Sequence, residues 1–129
     1  VVAAVIVRDG RYLLVRKRGT SAFMQVGGKP EPGEAPVEAL VREVAEEIGV
    51  VVDPRQVRLT GRIEAPAANE PGHVIDAYVF DVDLPRGADP QPHAELEDLV
   101  WVDPADPVTT HPIAPLSLDL LAGWRARDR

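Results

Sequence analysis

The stretch that most constrains this chain is Gly27–Val50, GGKPEPGEAPVEALVREVAEEIGV, which reads as a glycine-rich loop feeding an acidic helix. Gly27 and Gly28 let the backbone approach a ligand closely, and Gly33 permits a turn that most residues resist. Pro36 suits the first helical position, Glu34 and Glu38 place charge near the positive end, and Gly49 is a stop signal. Between these marks Val37, Leu40, Val41, Val44 and Ile48 recur at helical spacing and form one apolar stripe.

The opposite face carries Glu43, Glu46 and Glu47 at i, i+3 and i+4, an arc of roughly 100° away from the stripe. Each like-charge pair at that spacing costs about 0.2–0.5 kcal/mol, and the helix dipole disfavours anions in the last turns. Stability alone would put Lys or Arg there. Carboxylates so crowded are suitable hard-oxygen ligands for Mg²⁺ or Mn²⁺, whose charge removes both penalties. The plain alternative, for three such residues taken alone, is a solvated acidic face.

Written from Gly28, the chain reads G-x5-E-x7-R-E-U-x-E-E-x-G-U, with U aliphatic, on Gly28, Glu34, Arg42, Glu43, Val44, Glu46, Glu47, Gly49 and Val50. This resembles the Nudix box of the MutT-like Nudix hydrolases at every specified position. The resemblance implies a metal held by Glu43, Glu46, Glu47 and the backbone carbonyl of Gly27. It also implies that Arg42 orients a carboxylate and that Glu34 pairs with Arg42, both supporting the ligands from behind. Many members carry Pro immediately before the double glycine, where this chain has Val26. Glu95, in an acidic loop six residues before Trp101, is similar in placement to a further ligand or base in MutT-like relatives. An ordinary loop carboxylate is the alternative, and Glu97 and Asp98 are its near rivals.

Around this unit, Val1–Val7 reads as a buried strand, Asp9-Gly10 as a hairpin turn and Arg11–Arg18 as the returning strand. Alternation sends Arg16 and Arg18 to one face and Lys17 to the other. One or two of Arg16, Lys17 and Arg18 are candidates to meet substrate phosphates, Arg16 and Arg18 foremost, against the plain reading of a solvated strand end. Lys29 is a further phosphate candidate, and Phe23 a candidate to stack on a base or to fill the core. Tyr78 and Phe80 are other stacking candidates, in a chain with two each of Phe, Trp and Tyr.

Downstream, Val57–Ala65 reads as a strand with a bulge at Gly61, and His73–Leu84 as a long strand holding Asp76, either a satisfied polar residue or a site residue. Residues 85–94 form a Pro/Gly-rich, flexible loop, Leu99–Val102 a further strand and Asp103–Pro112 a connection. Pro115–Arg125 reads as an amphipathic helix packed on the sheet. His73, His93 and His111 are scattered and make no metal or triad spacing. The expected class is α+β, an α/β/α sandwich with a mixed sheet between helices, which is also the order of the Nudix fold.

At 129 residues the chain is expected to be a single domain, 1–129. A net charge of −7 argues against binding a nucleic-acid backbone, and no apolar run reaches membrane-span length. No signal-peptide pattern is visible, and zero cysteines exclude disulfides and suit a cytoplasmic protein. The expected activity is a divalent-metal-dependent pyrophosphohydrolase acting on a nucleoside diphosphate linked to another moiety. A MutT-like (d)NTP pyrophosphatase is favoured for a chain so short. ADP-ribose or a dinucleoside polyphosphate is the enzymatic rival, with Pro66 near a proline that accompanies ADP-ribose activity in some relatives. A nucleotide-sensing module that binds without hydrolysis is the other rival. The expected partner is a small nucleotide, with a homodimer as the expected assembly.

Overall fold

The computed structural model describes the backbone of residues 1–67, 70–105 and 111–127, with side chains to 124. Its strands are β1 (Val2–Arg8), β2 (Arg11–Lys17), β3 (Val26–Gly28), β4 (Val57–Pro66), β5 (Val74–Val82) and β6 (Leu96–Val102). Its helices are α1 (Pro36–Ile48) and α2 (Pro115–Arg127). The strand order is β4-β5-β1-β2-β6, with β3 also paired to β1. β1 runs parallel to β5 and antiparallel to β2 and β3, so the sheet is mixed, as the sequence predicts.

β1 is apolar on both faces because both faces are covered. Val2, Ala4 and Ile6 pack in one cluster with Leu40, Val44 and Ile48 of α1. Ala3 and Val5 pack in the other with Leu116, Leu120 and Leu121 of α2. The sheet is thus held between two helices. Asp9 and Gly10 take positive φ of 52° and 75° and close the β1–β2 hairpin tightly. In β4 the register slips between Leu59 and Gly61, the bulge expected there.

The C-terminal end of α1 is answered by another part of the chain. Gly49 caps it in the left-handed conformation, at φ 68°. Residues 85–94, expected as a flexible loop, are tied across it: Gln91 N–H donates to the Ile48 carbonyl and His93 N–H to the Glu47 carbonyl. These bonds satisfy carbonyls that a helix end leaves open. The connection expected over Asp103–Pro112 lies partly outside the described residues, as do residues 68 and 69 between β4 and β5. Among the described residues no helix is long and apolar enough to cross a membrane.

Candidate functional site

Three elements converge on one cavity of about 230 Å³: the end of β2 (Lys17), the β3 loop (Gly27, Gly28, Lys29) and the last two turns of α1 (Glu43, Glu46, Glu47). Ala94 and Glu95 close it from the loop before β6. Ala94 is held at φ 54°, a conformation costly for a residue with a side chain.

Glu47 departs from the plain alternative of a solvated acidic face. It is buried, only 9% exposed. Its Oε1 accepts the N–H of Gly27 at 2.8 Å. Burial pushes its carboxyl up to about 7, while the Gly27 bond pulls it down and Glu43 pushes it further up. Burial also raises the Glu43 carboxyl, against the opposing pull of Arg42. The Glu43 side chain is 14% exposed and that of Glu46 54%, so Glu46 is the open member of the trio.

Arg42 is the clamp of the site. Its Nε and Nη2 donate to the two Glu34 oxygens at 2.8 and 2.9 Å, joining the loop to the helix. Its Nη1 donates to Glu43 at 2.8 Å and Glu46 at 3.2 Å, and Nη2 also reaches the Lys29 carbonyl at 3.1 Å. Glu34 is held down to about 2 by the guanidinium and, secondarily, by the Glu31 N–H. Gly28 leaves room for this arrangement. A Cβ there would stand 2.6 Å from Glu43 Cδ.

Among the described residues no three acidic or histidine side chains are gathered tightly enough to form a ready metal site. Arg42 between Glu43 and Glu46, and Gly27 on Glu47, hold the carboxylates in this spread. The donor chemistry nevertheless fits a hard divalent cation: three carboxylates, one of them buried without a full countercharge.

The other sequence candidates divide. Glu95 and Lys29 line the cavity. Arg16 turns away and donates to Asp98 at 2.6 Å and to the Thr20 carbonyl at 2.8 Å, so Glu97 and Asp98 serve as its partners. Arg18 Nη2 reaches the Ala94 carbonyl at 3.4 Å. Phe23 is 7% exposed in the α2-side cluster, edge-on to His111 at 4.9 Å, so of its two readings the structure takes the core one and the stacking role is dropped. Asp76 is a satisfied polar residue, bonded to Arg62. Of the three cations at the end of β2, Lys17 is the one that lines the cavity, where the sequence puts Arg16 and Arg18 foremost. It shares the parity of Leu13 and Val15, which pack under α1, and that parity was the signal.

A second cavity, about 270 Å³, adjoins the first through Lys17, Gly27, Gly28, Lys29 and Glu47, and extends to Val1, Met24, Gln25 and Ile75. A larger hollow of about 360 Å³ lies apart from the carboxylates, and its Arg55 and Arg58 are paired with Asp53 and Asp81.

A family model described as NUDIX domain matches residues 1–122. The chain is 32% identical over 130 residues to the CTP pyrophosphohydrolase of Escherichia coli K12, covering 98% of this chain and 90% of that one. It is 34% identical over 105 residues to the ADP-ribose pyrophosphatase of Methanocaldococcus jannaschii, covering 76% of this chain and 60% of that one. The crystal structure of a MutT NUDIX hydrolase from Burkholderia pseudomallei matches with a TM-score of 0.77 at 25% identity, covering 93% of this chain and 92% of that one.

Proposed function

The chain belongs to the Nudix hydrolase family, and from that premise we propose that it is a nucleoside triphosphate pyrophosphohydrolase, releasing a nucleoside monophosphate and pyrophosphate. The observation that carries this reading is the junction of two cavities: one acidic with two lysines in its lining, the other walled largely by small and apolar side chains. A triphosphate fits the first while its nucleoside occupies the second. The likeness to a CTP pyrophosphohydrolase over 98% of the chain supports the triphosphate class.

Divalent metal use is general to the family, and we assign Mg²⁺ or Mn²⁺ to Glu43, Glu46, Glu47, Glu95 and the Gly27 carbonyl. When bound, the metal supplies positive charge at the phosphate oxygens and acidifies water in the site. Arg42 holds Glu43 and Glu46 in place and is itself held by Glu34. Lys17 and Lys29, which line the same cavity, meet phosphate oxygens. Glu95 is the candidate to take the proton of the attacking water as its oxygen bonds to phosphorus and the bridging P–O bond breaks. The reaction is assigned to one domain, 1–129, working in the cytoplasm on a small nucleotide.

The test is a substrate panel: the four nucleoside triphosphates, ADP-ribose and a dinucleoside polyphosphate, each with Mg²⁺ or Mn²⁺, read by released nucleoside monophosphate. Preferred release from triphosphates supports the proposal. Preference for ADP-ribose would transfer the assignment to the activity named for the archaeal relative, and binding without release would make the chain a nucleotide sensor. Near-normal turnover in Glu95→Gln would remove Glu95 from the site.

A further inference from the structure

Leu96 N–H donates to the His93 carbonyl at 3.0 Å, closing a tight turn whose two central residues are Ala94 and Glu95. Ala94 takes φ 54° and Glu95 takes no positive φ, the pattern of a type II′ turn. Glycine is the ordinary residue at that first central place, and a side chain there is held against a cost. A backbone so strained persists where its surroundings over-determine it.

The restraints come from both sides of the turn. Before it, His93 N–H donates to the Glu47 carbonyl at 2.8 Å, and the imidazole lies against Gly49, where a Cβ would come within 2.6 Å of Nε2. After it, Arg18 N–H donates to the Glu95 carbonyl at 2.9 Å. The turn's own hydrogen bond uses neither group of its central peptide, the one joining Ala94 to Glu95. Arg18 Nη2 takes that carbonyl, at 3.4 Å. One residue thus grips, by main chain and by side chain, the two carbonyls that flank the Glu95 Cα. Glu95 lines the acidic cavity with Lys17, Glu43, Glu46 and Glu47, whereas Arg18 lines neither that cavity nor the adjoining one. Its guanidinium acts on the backbone that carries Glu95, not on the contents of the cavity.

We propose that Arg18 is a positioning residue for Glu95: its guanidinium holds the central peptide of the strained turn and so keeps the Glu95 carboxylate directed at the cavity. The inference rests on the role given above to Glu95 as metal ligand or proton acceptor.

The experiment uses the full chain carrying Arg18→Met, which keeps the side-chain stem and removes the donor, Glu95→Gln, Ala94→Gly, and Arg18→Met combined with each of the other two. In the metal-free protein, Arg18→Met should quicken amide exchange at Leu96 about 3- to 10-fold, the scale of one hydrogen bond, and leave Gln91 and His93 at wild-type rates. With Mg²⁺ and the nucleoside triphosphate that wild type turns over fastest, the same variant should lose about 3- to 10-fold in kcat with KM unchanged. A residue that met phosphate would show its loss in KM. In the Glu95→Gln background, removing the guanidinium should cost nothing further, because it acts only through that carboxylate. Ala94→Gly forms the turn without strain and should return most of the kcat lost in Arg18→Met. Wild-type exchange at Leu96 in Arg18→Met, a loss confined to KM, or an equal loss in the Glu95→Gln background overturns the assignment of Arg18. Near-normal turnover in Glu95→Gln, with Leu96 exchange still quickened by Arg18→Met, overturns the reading of Glu95 and with it the catalytic purpose of the brace.

Discussion

The backbone N–H of Gly27 donates to Glu47 Oε1 at 2.8 Å, joining the β3 loop to the last turn of α1. A carboxamide retains an oxygen for this bond, so Glu47→Gln keeps the loop in place while removing a negative charge. Residues that support metal ligands from behind cost about 10- to 100-fold when lost, so loss of a ligand should cost more than about 100-fold in turnover. The variant's thermal midpoint without metal should be no lower than wild type at pH 8, since a buried charge has been removed. Wild-type turnover in both Glu46→Gln and Glu47→Gln would withdraw these residues from the ligand set.

The two adjacent glycines should fail in different ways. The three atoms nearest to a Cβ on Gly28 are all at the end of the Glu43 side chain, the closest at 2.6 Å. Gly28→Ala should therefore fold, displace that carboxylate and weaken Mg²⁺ binding about 10- to 100-fold in a calorimetric titration. A Cβ on Gly27 meets the Val2 carbonyl oxygen at 2.1 Å, which is backbone inside the sheet. Gly27→Ala should lower the melting temperature before any question of metal arises.

The Arg42–Glu34 pair sets a pH dependence with a definite sign. The guanidinium depresses the Glu34 carboxyl to about 2 from an ordinary value of 4.5, so the folded form favours the charged state. The stabilisation is complete above the unfolded value and is lost as pH falls through 4.5 toward 2. Glu34→Gln should melt lower than wild type at pH 7, with the gap closing on acidification across that window. A gap of constant size from pH 7 to pH 2 would show that the charge on Glu34 contributes nothing.

Lys17 and Arg16 are neighbours with opposite expected phenotypes. Lys17→Ala removes a cation from the acidic cavity and should lower kcat/KM for a triphosphate about 10- to 100-fold, mainly through KM. Arg16→Ala breaks contacts to Asp98 and the Thr20 carbonyl, and should lower the melting temperature with little kinetic effect. Steady-state kinetics beside thermal melts separate the two.

What the sequence made legible was local. The start of α1 at Pro36, its stop at Gly49, the Asp9-Gly10 turn and the β4 bulge beside Gly61 each follow from a few neighbouring residues. The acidic trio was legible for the same reason: one helix displays it. The contacts that stayed hidden depend on distant partners. Gln25 N–H donates to the Ser117 hydroxyl across 92 positions of sequence, and neither residue type announces the other. The burial of Glu47 is another case, since the groups bonded to it, the Gly27 N–H and the His93 N–H, come from β3 and from the loop at residue 93. Phe23 could stack or pack, and the choice was made by α2 and His111.

The two backbone bonds from residues 91 and 93 onto the end of α1 give that region a shared fate. Should the final turn of α1 unravel, the strap bearing Glu95 loses its anchorage along with Glu47, so opposite rims of the cavity come apart together. On gentle heating, catalytic competence should therefore vanish abruptly while the sheet still stands, with amide exchange at residues 91 and 93 quickening in step.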